Sequence, residues 1–178
     1  LKGRALRCLS AREHSRAELV RKLARHEEVP GELDSVLDDL QAKGFISQER
    51  VVASVLNRRA AHMGAARVRQ ELQAKGIDAE LVRDAVAGLR DSELERARAV
   101  WLKRFGGGAP ADARQWARQM RFLMARGFAG DVVRRVVPDA PRCRCLGKSG
   151  RYGLCHDSTG FPCQKMHQKS LQHTSPVR

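Results

Sequence analysis

Apolar residues recur along this chain at intervals of three and four, and the same phrase is written about three times. In the first writing Leu19, Val20 and Leu23 lead to Leu33, Val36, Leu37 and Leu40. In the second, Val68 and Leu72 lead through Lys75-Gly76-Ile77 to Leu81, Val82, Ala85, Val86 and Leu89. In the third, Trp116 and Met120 lead through Arg126-Gly127-Phe128 to Val132, Val133, Val136 and Val137, at the offsets from Phe128 that Leu81, Val82, Ala85 and Val86 keep from Ile77. Spacing of three and four places apolar side chains on one helical face, and the alternation that marks a strand never persists. The pattern therefore predicts an all-α fold. Repetition at nearly fifty residues predicts stacked helical units with a shared binding surface, ahead of an active site.

Helix boundaries follow from the polar punctuation. Ser15-Arg16-Ala17-Glu18 fits a capping box, Pro30 fits a first helical turn, and Gly44 fits a left-handed helix end. Ser47 caps a helix with Val51, Val52, Val55 and Leu56 on its apolar stripe, and Gly64 breaks that run. Gly76 is the next stop and Asp78 the next cap. Ser92-Glu93-Leu94-Glu95 reads as a second capping box, opening a helix that reaches Phe105. Gly106-Gly107-Gly108-Ala109-Pro110 reads as a flexible joint, Asp112 caps the third unit, and that unit ends near Pro138. At Gly44-Phe45-Ile46, Gly76-Ile77 and Gly127-Phe128 a glycine is expected to stop a helix and the next apolar residue to fold back on it. Eight helices are expected, the first at about residues 2 to 12. The expected organisation is an N-terminal helix at 1–14, repeats at 15–63 and 64–108, a partial repeat at 109–140, and a disordered basic tail at 141–178, where the apolar period is lost.

Charge changes the picture. Against 20 acidic residues stand 34 basic ones, a formal net charge of +14, and only seven of the basic residues fall in 141–178. The helical body is basic by itself, and arginine greatly outnumbers lysine. A polyanionic partner is expected, because the guanidinium fork matches phosphate and carboxylate. The candidate binding residues lie between the apolar stripes: Arg58 and Arg59, then Arg67, Arg69 and Lys75, then Lys103 and Arg104, then Arg114, Arg118, Arg121 and Arg126. If they converge on one side they form a groove for phosphates or an acidic protein face. The alternative is solvated helix faces with pairs such as Arg67 to Glu71.

Catalytic signatures are missing: the sequence holds no phosphate-binding GxxxxGK[ST] loop, no GxGxxG, no HExxH and no GxSxG. No enzyme activity and no cofactor are expected. His14, His26 and His62 stand near helix ends and read as solvated or capping residues, and Cys8 reads as a core residue. Cys143, Cys145, Cys155, His156, Cys163 and His167 could supply a zinc ion, but their spacing fits no common finger, so no metal is expected. Helices at 79–90 and 130–137 carry few base-reading side chains, which favours backbone contact over sequence-specific readout. No apolar run approaches the roughly 20 residues that span a bilayer, and a cytoplasmic monomer is expected. Leu1 in place of Met suggests that the chain as written begins after its true start.

Three phrases in order, Ser15-Arg16-Ala17-Glu18-Leu19 with Lys22-Leu23, Leu40-Gln41-Ala42-Lys43-Gly44-Phe45-Ile46, and Gly64 through Leu72 with Lys75-Gly76-Ile77, resemble the RecX family of recombinase regulators. Arg126-Gly127-Phe128 with Val132 and Val133 is similar to that family's closing unit. The resemblance implies tandem three-helix repeats in an elongated, curved, basic array that lies in the groove of the RecA filament on single-stranded DNA. It further implies inhibition of ATP hydrolysis and strand exchange, and no catalytic residues. The chain departs from the family at Ser47-Gln48-Glu49-Arg50-Val51, where acidic residues and an aromatic are usual, and again after residue 140. The rival readings are a basic helical protein that binds DNA without sequence preference and without RecA, and a zinc-dependent regulator that uses the tail.

Overall fold

The computed structural model describes residues 1–140. The tail with its cysteines and histidines lies outside the described residues. Among the described residues the chain forms nine α-helices and no strand, one helix more than the apolar spacing predicts. They are α1 (Lys2–Ala11), α2 (Arg16–Leu23), α3 (Glu32–Ala42), α4 (Gln48–Arg59), α5 (Ala65–Ala74), α6 (Ala79–Arg90), α7 (Glu93–Phe105), α8 (Ala113–Ala125) and α9 (Gly130–Val136), with a 3-10 turn at Ala24–His26 after α2.

The apolar stripes close into three separate cores. Leu19 and Leu23 of α2 meet Leu33, Leu37 and Leu40 of α3 around Ala5 of α1. Val51 and Val55 of α4 meet Val68, Leu72, Val82, Val86 and Leu89 of α5 and α6. Ala97 and Trp101 of α7 meet Met120, Leu123, Val132, Val133 and Val136 of α8 and α9. Each core thus draws on three consecutive helices, and the main side-by-side packing between triplets is α6 against α7. Burying one such leucine or valine contributes about 1.5–3 kcal/mol, so each triplet holds its own shape without sharing a core with its neighbour.

Most of the sequence punctuation acts as expected. Ser15 and Glu18 form the capping box, and Ser47, Asp78 and Asp112 accept from the amides of Arg50, Glu80 and Gln115. After α3, α5 and α8 the chain closes the same two-bond stop: Gly44, Gly76 and Gly127 donate three residues back, and Phe45, Ile77 and Phe128 donate five residues back. Four expectations fail. Pro30 lies outside α3, where Gly31 is the N-cap and the Glu27 carboxylate accepts from the Gly31 and Leu33 amides. Phe45 stays half exposed because Ile46, one residue on, takes the buried place. Ser92 makes no capping bond; it donates to the Leu89 carbonyl, and Glu93 turns to another helix. His14 is buried rather than solvated, 2% exposed.

The triplets are joined end to end through their second helices. At the joint between the second and third, the N-terminus of α5 abuts the C-terminus of α8. The Gly64 amide donates to the Arg126 carbonyl at 2.9 Å and the Ala66 amide to the Gly127 carbonyl at 3.2 Å. Between them the Ala65 amide donates to Glu93 Oε1 at 3.2 Å. A helix start leaves its first amides without partners, and here a neighbouring triplet supplies them in place of a capping side chain. The approach is that of bare backbone. A Cβ on Gly64 would overlap the Gly127 carbonyl, and one on Gly127 would come within 2.5 Å of the Arg67 nitrogen. Gly127 also holds φ at 82°, a region that disfavours any side chain. Arg96 of α7 seals the joint, its guanidinium donating to the carbonyls of Ala60, Met63 and Leu89 at 2.7 Å each.

The joint between the first and second triplets repeats this geometry one unit earlier. The C-terminus of α5 meets the N-terminus of α2, with Ser15 Oγ donating to the Lys75 carbonyl at 2.5 Å and Arg21 donating to the Ala74 carbonyl. Gly76 meets the Ala17 methyl as Gly127 meets Arg67. Glu18 is the hub. It accepts from the Lys75 ammonium at 2.7 Å, from Arg12 at 3.1 Å and from the Ser15 amide at 3.2 Å. Burial by itself would raise the Glu18 pKa, but hydrogen bonds from Arg12, Lys75 and Ser15 outweigh it and hold the carboxyl at about 2. Beside it, His14 lies below its usual range because burial, and then the Arg12 charge, oppose protonation.

Two measurements test the joints. Gly64→Ala and Gly127→Ala are each expected to cost more than about 2 kcal/mol in chemical denaturation, because the clash is with backbone. Gly88→Ala, inside α6 with open space at its Cβ, is expected instead to stabilise by roughly 0.5–1 kcal/mol. Equal effects at all three positions would contradict the end-on contact. The second concerns pH. A lowered His14 pKa means stability lost as pH falls below the ordinary 6.5, and the lowered Glu18 pKa means stability lost from about 4.5 down to about 2. Glu18→Gln should remove the lower of these two phases in melts recorded across pH. It should also cost on the order of 2 kcal/mol at neutral pH by leaving the buried Lys75 ammonium without its carboxylate.

Candidate binding surface

Charge is distributed unevenly over the triplets. Residues 1–46 carry nine basic and eight acidic residues, 47–90 carry eight and five, and 91–140 carry ten and six. The basic surplus therefore belongs to the second and third triplets, where all eleven candidate residues lie.

Local structure positions each of them. Arg58 and Arg59 occupy the last turn of α4, and Lys103 and Arg104 the last turn of α7, where the helix dipole favours cations. Arg114, Arg118 and Arg121 stand at i, i+4 and i+7 along α8, which puts them on one exposed face. The opposite face is fixed by Met120 and Leu123 in the core and by a buried bond from Trp101 Nε1 to Gln119 Oε1 at 2.7 Å. Arg126 follows the same helix. Its guanidinium lies over the Phe122 ring at 3.8 Å, and Phe122 meets Phe105 edge-on. Arg67 and Arg69 lie exposed on α5.

The structure brings some of these residues together. Arg67 and Arg126 meet at the glycine joint, where Gly127 packs against the Arg67 backbone and the Arg126 carbonyl accepts from Gly64. Arg59 reaches Glu71, one turn along α5 from Arg67, at 3.1 Å. The i to i+4 pair of Arg67 with Glu71 does not form; Arg67 donates to Gln70 instead. Lys75 stands apart from the rest. It is 9% exposed, and its ammonium is taken up by Glu18 across the other joint. Among the described residues the remaining nine candidates form no ion pair, whereas Lys2, Arg12, Arg16 and Lys43 of the first triplet are all paired.

Sequence reasoning missed three sets of residues. Arg96 is an interior tie, its pKa lowered by burial and partly restored by Glu93, and no helical period marks it. Arg134 and Arg135 are exposed on α9 and extend the basic surface of the third triplet. Arg4, Arg7, Arg21, Lys22 and Arg25 line one cleft of the first triplet, and the spacing of Arg4 to Arg7 and of Arg21 to Arg25 was the available signal. Among the described residues no three His, Cys, Asp or Glu side chains could hold a metal, and no helix is long and apolar enough to cross a membrane.

Comparison with known proteins follows the three cores. Residues 2–40, 47–86 and 91–137 match the first, second and third three-helix domains of RecX. The regulatory protein RecX of Leptothrix cholodnii is 62% identical over 137 residues, 77% of this chain and 87% of that protein. The regulatory protein RecX of Ralstonia nicotianae is 46% identical over 140 residues, 79% of this chain and 87% of that one. Two crystal structures share the fold. One, of regulatory protein RecX, superposes with a TM-score of 0.65 at 22% identity, over 76% of this chain and 70% of that one. The other, of RecX from Lactobacillus salivarius, gives 0.62 at 19%, over 76% and 90%. With one domain match on each core, in chain order, and close identity over most of a relative's length, the chain belongs to the RecX family of regulatory proteins.

Proposed function

We propose that this chain regulates the RecA recombinase by binding its filament on single-stranded DNA, as a monomer in the cytoplasm, with no enzymatic activity of its own. Binding inhibits RecA ATP hydrolysis, strand exchange and coprotease activity. The observation that carries this reading is the basic surface of the second and third triplets, in which among the described residues only Arg59 of the exposed candidates forms an ion pair, presented by helices that a backbone joint holds in fixed register. Arg114, Arg118 and Arg121 on α8 with Arg67 and Arg126 beside the joint form its centre, and Arg69 lies further along α5. Arg58, Arg59, Lys103 and Arg104 extend it, and Lys75 acts in the joint rather than on the surface. A row of triplets suits a helical polymer, because each offers its charges at a repeat along the filament. Phosphates and acidic protein faces both attract such a surface.

The test is RecA-catalysed ATP hydrolysis on single-stranded DNA with increasing amounts of this protein. Inhibition is expected well below the ratio needed to coat the DNA. Inhibition only at coating ratios would favour a DNA-binding protein that acts without RecA. Replacing Arg114, Arg118 and Arg121 together by alanine should raise the concentration for half inhibition by about tenfold or more at unchanged helicity, and an unchanged value would remove α8 from the surface.

A further inference from the structure

The first triplet, nearly neutral as a whole, concentrates its unpaired cations in one place. A cleft of about 470 Å3 is lined by Arg4 and Arg7 of α1, by Arg21 and Lys22 of α2, and by Arg25 and His26 of the turn that follows. Among the described residues no carboxylate lines it and none of these five cations forms an ion pair; Glu13, Glu18, Asp34, Asp38 and Asp39 of this triplet pair instead with Lys2, Arg12, Arg16, Lys43, Arg50 and Lys75, and the Glu27 carboxylate accepts from the Gly31 and Leu33 amides. The walls are partly fixed: Arg21 is tethered to the Ala74 carbonyl, and Arg25 Nε donates to His26 Nε2 at 3.2 Å. An imidazole that accepts at Nε2 carries its proton on Nδ1, which adds a neutral donor. The cleft is of the size that holds a small ligand, about 300–1,000 Å3.

We propose that this cleft is a phosphate-binding site, taking consecutive phosphate groups of a nucleic-acid backbone or of a nucleotide, separate from the basic surface of the second and third triplets. Four of its five cations are arginine, whose forked donors meet phosphate oxygens in pairs. Two rows of cations, one from α1 and one from α2 and its turn, suit a string of closely spaced charges better than a single anion. The local field agrees: partial burial and then the Arg4 and Arg25 charges press the His26 pKa below its usual value, so a bound polyanion must raise it again.

His26 is therefore a reporter placed in the cleft itself, and the experiment needs no recombinase, so it stands or falls apart from the proposed filament activity. In the full chain, the His26 ring signals are titrated by NMR with a fifteen-residue oligo-dT, with ATP and with polyglutamate. A rise in the His26 pKa with oligo-dT alone assigns the site to a strand backbone, and a rise with ATP as well assigns it to free phosphates. No rise with either, or a rise with polyglutamate of equal size, overturns the proposal. In the variant R4A/R7A/R25A, which removes exposed side chains without ion-pair partners, the phosphate probe that binds should lose affinity at least about tenfold. If that probe is oligo-dT, the slope of log affinity against log salt should fall by about 2, from roughly 0.7 per lost contact. Unchanged affinity for that probe would equally overturn it.

Discussion

The contact on which the described array depends is the meeting of helix ends, where the C-terminus of α8 abuts the N-terminus of α5 and the C-terminus of α5 abuts the N-terminus of α2. Three closed cores would otherwise be three independent bundles on a string. The end-on joint aligns the second helices so that the negative end of each dipole faces the positive end of the next, and it satisfies polar groups that a helix terminus leaves open. Its residues correspond from one joint to the other. Ser15 and Gly64 are the two N-caps, the Lys75 and Arg126 carbonyls accept from them, and Gly76 and Gly127 are the glycines that allow the close approach. One joint is sealed by the Glu18 and Lys75 pair, the other by Glu93 and Arg96. Buried charge thus fixes register between triplets while apolar burial fixes each triplet.

This division explains where the exposed basic surface lies. Of the cations that tie the joints, Lys75 is buried and Arg96 is partly buried. Among the described residues those on the outer faces of α5 and α8 have no carboxylate partners, and they are carried by the same helices that the joints align. A polymer with a regular repeat is gripped by charges held at regular intervals, and loosely tethered bundles would spend the same interactions on ordering entropy. The first triplet differs in that its acids neutralise most of its surface and leave one cationic cleft.

The helical architecture was legible because apolar period and capping chemistry are local. Leu33, Leu37 and Leu40, or Val132, Val133 and Val136, reach their cores by the spacing that predicts them, and Ser15, Ser47, Asp78 and Asp112 cap from their own first turns. The joints were not legible, because their partners are some thirty to sixty residues apart and leave no period. Gly64 reads as a break in a helix when its role is to let a carbonyl from another triplet come close. Lys75 reads as one more basic residue beside an apolar stripe, although Glu18 lies 57 positions away in sequence. Ser92 and Glu95 fit a capping pattern, yet Glu93 serves the start of α5 28 positions back. At Phe45 the local stop motif is correct, but it is Ile46, one residue later, that folds back into the core of the first triplet.

Native-state hydrogen exchange at the start of α5 tests this account most directly. Amides in a first helical turn have no partner in their own helix and exchange quickly when water is their only acceptor. Here Gly64, Ala65 and Ala66 donate to Arg126, Glu93 and Gly127 of the next triplet. The account predicts that these three amides are protected to the level of the α5 interior and that all three lose protection together in Gly127→Ala. Rapid exchange of Gly64 and Ala66 in the unsubstituted protein would contradict it.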